Sequence, residues 1–375
     1  MMRGLRILIT NRSLAVRGGS EAYVRDLATG LLERGHTPIA YSTRLGDMAR
    51  DLRVATVPVV DDLDALGAPP DLIHGQHHLE TMTALLRLPG VPAVYFCHGW
   101  LPWEEIPPRF PRILRYVAVD QTCRDRLLFE HAVPEDRIRV LLNAVDLGRC
   151  APRGTLPAQP RRALVLSNNA SERTHLAAVR QACSAAGIQV DVVGHQAGRP
   201  TARPEEALRG ADLVFAKGRS ALEALAVGAA VILCDAGGCG PMVTTANLDR
   251  LRPLNFGIRT LRDAVDPAAL ASRIAEYDAA DAAEVSRRIR AAAGRDALVD
   301  EIVDLYREVL REHQAAAPPE LRAEMRAVSD YLRFLSAPLE EHVRRELARA
   351  TRDLSRRPRL RDRLLRLVHP GRPVT

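Results

Sequence analysis

The chain has 375 residues, 47% of them hydrophobic and 26% charged, a balance that excludes wholesale disorder and any need for disulfides or a structural metal to complete a core. Its net charge of +7 is uneven: residues 344–372 carry eleven arginines against three acids, +8 in all, which leaves −1 for the rest. A nearly neutral body argues against a nucleic-acid-binding core, which needs its basic face on the folded domains.

At roughly 100–200 residues per domain, the length predicts two domains and a tail. The longest uncharged apolar stretch, Ala224 to Cys234, has 11 residues, where a spanning helix needs ~20. Met1 to Thr10 is too short for a signal peptide and lacks its cleavage site, so the expected location is cytoplasmic. Six scattered cysteines without a C-x-x-C pair read as reduced thiols, mostly buried.

In chain order, Arg6 to Thr10 reads as a buried strand. Glu21 to Arg34 places Val24, Leu27, Ala28, Leu31 and Leu32 on one helical face, with Gly35 as its cap. Strands follow at Thr37–Ser42, Asp71–Ile73 and Ala93–Cys97, with a helix over Thr81–Leu88, and then at Tyr116–Val119 and Arg139–Leu142. Ala151 to Pro160, rich in Pro and small residues, is the expected linker. The alternation restarts with a strand at Ala163–Ser167, a helix at His175–Ala186 and a strand at Gln189–Val193. Asp212–Phe215, the helix Ser220–Val227 and Ala230–Cys234 complete it. Continuous apolar strands separated by helices predict parallel sheets covered on both faces, here two Rossmann-like domains facing a cleft. Asp266–Arg311 is expected to be helical throughout. Leu321, Met325, Val328, Leu332 and Leu335 then recur at helical spacing ahead of the arginine-rich end. The expected boundaries are 1–148, 149–315 and a helical extension over 316–375.

Four places carry chemistry. Gly18-Gly19 precedes the first helix, where the absence of Cβ lets a helix N-terminus meet an anion; an ordinary turn is the competing reading. His98-Gly99-Trp100 follows a buried strand, which puts His98 at the cleft mouth within reach of a sugar hydroxyl, and Trp100 and Trp103 are platforms for a sugar ring or lipid. The competing reading has them closing a loop and a core.

Lys217-Gly218-Arg219-Ser220 leads into a helix whose amides suit a diphosphate. Gly218 is expected to permit close approach of backbone and Ser220 to be the N-cap, and Glu223 is one turn inside, where it can accept from two ribose hydroxyls. Asn168-Asn169 follows a strand, with Arg173 and His175 after it, and a cation there would offset charge on a departing diphosphate. His74, His77 and His78 read as loop polar contacts rather than metal ligands, and Asp62-Leu63-Asp64 as a solvated acidic turn.

In combination, these residues resemble the family-four retaining glycosyltransferases of the GT-B fold, over roughly Arg6 to Leu310. The resemblance is carried by Gly18-Gly19-Ser20-Glu21 through Arg34-Gly35-His36, by His98-Gly99 and by Asn143-Ala144-Val145-Asp146. It continues in Glu223-Ala224-Leu225-Ala226-Val227-Gly228, Asp235 to Gly238 and Val265-Asp266-Pro267. It implies that Gly19 approaches the donor sugar and diphosphate, that His98 contacts the sugar and that Glu223 takes the ribose. Two positions depart. Phe215 stands where the family's Glu-x7-Glu pair has its first acid, and Asn168 and Arg173 stand where an arginine and a lysine grip the diphosphate. Lys217 or Arg219 could supply the missing cation.

The expected function is metal- and cofactor-independent transfer of a sugar from a nucleoside-diphosphate donor to an unidentified acceptor, with retention. His98 and Arg173 are the expected catalytic residues, and Gly18, Gly19, Asn168, Lys217, Gly218, Arg219, Ser220 and Glu223 the donor-binding ones. Two alternatives stay open: a non-catalytic GT-B-like partner subunit that binds nucleotide or glycan, and a nucleotide-sugar epimerase of the same architecture, for which no acid–base pair is found. For the basic tail a solvated or partner-bound segment is expected ahead of peripheral contact with anionic lipid.

Overall fold

The computed structural model describes residues 4–355 and divides into two compact units. The first comprises residues up to 107 and 112–318, the second residues 108–111 and the chain from 319.

The first unit contains two α/β halves. In the first half, strands β1 (Arg6–Thr10), β2 (Thr37–Tyr41), β3 (Val59–Val60), β4 (Leu72–Gln76), β5 (Ala93–Cys97), β6 (Ile113–Ala118) and β7 (Ile138–Val140) form one sheet in the order 3-2-1-4-5-6-7. Every pairing in it is parallel. Helices α1 (Gly19–Glu33), α2 (Asp47–Val54), α3 (His78–Arg87) and α4 (Gln121–Asp125) connect these strands. Every residue of β5 is buried, as the continuous apolar run AVYFC requires of a strand covered on both faces. Helix α1 buries Val24, Leu27, Ala28 and Leu31 against this sheet.

The second half has β8 (Arg162–Leu166), β9 (Gln189–Val193), β10 (Leu213–Ala216), β11 (Ala230–Asp235) and β12 (Gly238–Met242) in the order 12-11-10-8-9, with only the edge strand β12 antiparallel. Helices α5 (Leu176–Ala185), α6 (Pro204–Arg209), α7 (Gly218–Val227) and α8 (Leu248–Leu251) accompany it. Strand order reverses beside β1 in the first sheet and beside β8 in the second, and loops at the carboxyl ends of strands at such points form ligand crevices.

The expected continuous helix over Asp266–Arg311 is three: α9 (Pro267–Ile274), α10 (Ala279–Ala292) and α11 (Arg295–Ala315). Asp266 and Asp278 each cap a new start with a side-chain oxygen, and Gly294 separates the last two. Residues 295–315, expected within the second domain, pack against the first half. Helix α11 docks Val299, Ile302, Val303, Tyr306 and Val309 into the core of the first half, beside Ile7, Ile9 and Leu31. The chain therefore crosses between the halves twice, and the crossings are zipped together. The Val145 amide donates to the Ala293 carbonyl and the Arg295 amide to the Val145 carbonyl, both at 2.8 Å.

The histidines expected in a loop after a strand ending at Ile73 are elsewhere, because β4 runs on to Gln76. His74 is inside the strand, fully buried, with its ring on Phe96 and its Nδ1 2.6 Å from the Tyr306 hydroxyl. His77 caps α3 and His78 is its first residue. All six cysteines are buried and unpaired.

The second unit contributes α12 (Leu321–Ser355), with Leu321, Met325, Leu332 and Leu339 exposed and Pro338 within the helix. The last part of the arginine-rich tail, 356–375, is outside the described residues.

Candidate active site

Two cavities open between the halves of the first unit. One, of about 250 Å³, is walled by Gly18, Gly19, Arg149, Asn168, Gly194 and Glu223. The other, of about 540 Å³, is walled by His98, Trp100, Glu105, Asp120, Lys217 and Gly218 among others. They meet at Gly19, Arg219 and Ser220, which border both.

Gly18 and Gly19 begin α1 at the carboxyl end of the first sheet. A Cβ on Gly18 would overlap the Glu21 carboxylate, which folds back over the helix start, whereas the space beside Gly19 is open. On the facing half, Gly218 opens α7 with Lys217 as N-cap, so Ser220 is the third helical residue and not the cap. Gly218 has open space where a side chain would begin. A Cβ there would meet nothing, and the position calls for glycine because its φ is +58. Its amide is already committed to the Phe256 carbonyl at 2.7 Å, which leaves the Arg219 and Ser220 amides for a ligand.

Glu223 is buried, with one oxygen occupied. Oε1 accepts from Arg219 Nε at 3.0 Å and from Arg149 Nη2 at 3.2 Å, and Oε2 accepts from neither. Both arginines also reach Asp26 on α1 of the other half. Burial alone would push the Asp26 carboxyl up, but Arg219, Arg25 and Arg149 hold it at about 2. Arg149 further contacts Glu205 at 3.4 Å. Lys217 pairs with Asp235 at 2.6 Å, and Ser167 and Asn169 also donate to that carboxylate. Asn168 borders the smaller cavity beneath Gly194, whose Cβ would overlap the Ser167 carbonyl.

In the larger cavity His98 stays neutral, since burial draws its pKa down to about 4 against the pull of Glu105. Among the described residues its Nε2 has no hydrogen-bond partner. Its amide donates to Glu105 Oε2 at 2.8 Å, and His77 Nε2 lies 3.5 Å from the other oxygen. The Arg12 amide donates to His77 Nδ1, which fixes the His77 proton on the nitrogen facing Glu105. Trp100 borders this cavity beneath Arg259 of the other half, 5.7 Å from the ring centre, and Trp103 lies edge-on to His78. Asn255 and Phe256 have φ +49 and +53, and the Asn255 side-chain amide donates to the Val119 carbonyl of the other half, while Arg259 pairs with Asp125 there at 2.6 Å.

Nine of the ten expected site residues thus border one cavity or both. Arg173 does not: it is exposed on the turn before α5 and lines neither cavity. Asp62, expected in a solvated acidic turn, is exposed and caps a short turn through the Asp64 amide. The sequence reading missed Asp26, Arg149, Glu105 and His77. Arg149 had a signal, three residues beyond the Asn143–Asp146 element. Asp26 had none, since an acid on a helix face is ordinary.

Residues 62–149 match the family described as Glycosyltransferase Family 4. No curated relative matches the sequence. Among solved structures, a glycosyltransferase from Rickettsia africae is 16% identical, with 82% of this chain and 99% of that one covered and a TM-score of 0.61. HepE from Anabaena, solved with UDP-glucose, is 15% identical over 81% of this chain and 100% of its own, with a TM-score of 0.57. A UDP-N-acetylglucosamine 2-epimerase is 11% identical over 85% and 99%, at 0.51. The chain has the GT-B fold of these glycosyltransferases, and its residues 62–149 are similar to Glycosyltransferase Family 4.

Proposed function

We propose that the protein transfers a hexose from a nucleoside diphosphate to a hydroxyl-bearing acceptor, with retention and without a metal. The observation that carries this reading is Glu223 Oε2, left unengaged by the two arginines that fix its carboxylate, beside the open amides that start α7. A rigid carboxylate suits the ribose hydroxyls, and the helix start and Arg219 suit the diphosphate. The sugar then extends past Gly19 toward His98, which borders the larger cavity. The anomeric carbon's bond to the diphosphate oxygen breaks, and its bond to the acceptor oxygen forms on the same face. The acceptor proton leaves on the departing diphosphate. Arg219 takes the part expected of Arg173 in offsetting that charge.

Glu223→Ala weakens binding of the donor nucleotide by about 2–4 kcal/mol, the loss of a buried contact to two hydroxyls. Calorimetry with nucleoside diphosphates checks this, and unchanged affinity removes Glu223 from the site. A non-catalytic binder is the second reading, favoured by Phe215, which is fully buried in the second half's core and offers no carboxylate to a sugar. Slow release of UDP from UDP-sugars by the wild type separates enzyme from binder.

The location proposed is cytoplasmic, with the basic tail contacting a protein or an anionic membrane surface. No helix among the described residues is long and apolar enough to cross a membrane. Salt-sensitive pelleting with anionic vesicles favours the membrane over the protein.

A further inference from the structure

Asp26 faces the cleft from the half opposite Glu223, buried, and lines neither cavity. Its Oδ1 accepts from Arg25 at 3.0 and 3.1 Å. Its Oδ2 accepts from Arg219 and, at 3.4 Å, from Arg149. Each of those arginines also donates to Glu223 Oε1, so two guanidinium groups tie a carboxylate of the first half to a carboxylate of the second. Arg219 spends Nε on Glu223 and Nη2 on Asp26. Among the described residues Nη1 is left without a hydrogen-bond partner, on a side chain that borders the junction of the two cavities.

We propose that Asp26 is a positioning residue for the donor: by clamping Arg219 across the cleft it aims Nη1 at the diphosphate and holds Glu223 Oε2 toward the ribose. The inference rests on the donor reading above and adds to it a residue that touches no ligand. The physical basis is preorganisation. A free arginine has rotamer entropy to lose when it grips a phosphate, and one already forked between two carboxylates has lost it on folding. The clamp also makes donor affinity depend on the two halves being docked, because half of the fork stands on each.

The test uses the full chain and UDP, with GDP as a second probe, by calorimetry alongside thermal melts. Asp26→Asn keeps the side chain's size and removes its charge. Expected is at least a tenfold weaker affinity for UDP, with Asp26→Glu within about threefold of the wild type. Adding Asp26→Asn to Glu223→Gln should change affinity less than twofold further, since both act through one fork. A residue that only supported the fold would lower the melting temperature without moving affinity. Equal UDP binding by wild type and Asp26→Asn, or tighter binding by the variant, overturns the inference and leaves the donor reading standing. A wild type that binds neither UDP nor GDP sinks the donor reading, and the inference with it. If Asp26→Asn does not fold, Arg219→Lys keeps the charge but loses the fork. The same tenfold loss is expected there, and wild-type affinity overturns the proposal.

Discussion

His98 shows how much a single side chain's surroundings decide. At the end of β5 it is held by its own backbone amide on Glu105, and its ring packs edge-on to Tyr23 at 4.5 Å. With a pKa near 4 in the fold and about 6.5 in an unfolded chain, it takes up its proton first when unfolded as pH falls. The stability gained by keeping it neutral is therefore complete above about pH 6.5 and is lost progressively toward pH 4, by ~3 kcal/mol in total. His98→Asn should flatten the stability curve over that window, as urea unfolding at successive pH values would show; an unchanged slope would mean the ring is hydrated. That His98 stands at a cleft was legible in the sequence, because an apolar run ending in histidine and glycine marks a strand's carboxyl end. Its clamp by Glu105 was not legible, since six intervening residues separate them and loop geometry has no period.

At the scale of elements, the alternation of strand and helix was readable because buried parallel strands are continuous apolar runs, as in AVYFC and AVILCD. The ends of α9 and α10 had signals in Asp278 and Gly294 that an unbroken alanine-rich pattern hid. The destination of α11 had none, for its apolar stripe would fit either half. The β9 turn offers a direct test. Gly194 brings the chain against the Ser167 carbonyl, and a methyl group there forces the β8 and β9 loops apart. Gly194→Ala should cost about 1–3 kcal/mol of stability, the usual range for overpacking, and weaken nucleotide binding at the cavity both loops wall. Thermal melts with and without UDP would show both effects, and a variant as stable as the wild type would place the loop in slack space.

For the whole molecule, two halves were expected and two were found, yet the contacts between them rest on residues far apart in sequence: Asp26 with Arg149 and Arg219, Trp100 with Arg259, Val119 with Asn255. No local pattern encodes such pairs. Trp100 makes their state observable, since it and Trp103 are the only tryptophans. UDP should change the emission of the wild type and of Trp103→Phe but not of Trp100→Phe. A change that survives in Trp100→Phe would assign the signal to Trp103 and leave the Arg259 contact unmoved by ligand.

The paired crossings at Val145 and Gly294 bear on how such a change can happen. A single connector would let the lobes twist, slide or swing with equal ease. Two strands laced side by side act as the pin of a door: they resist sliding and torsion and leave one rotation cheap. Opening the mouth should therefore trace an arc about the line through those residues, with the parts of each lobe farthest from it travelling farthest.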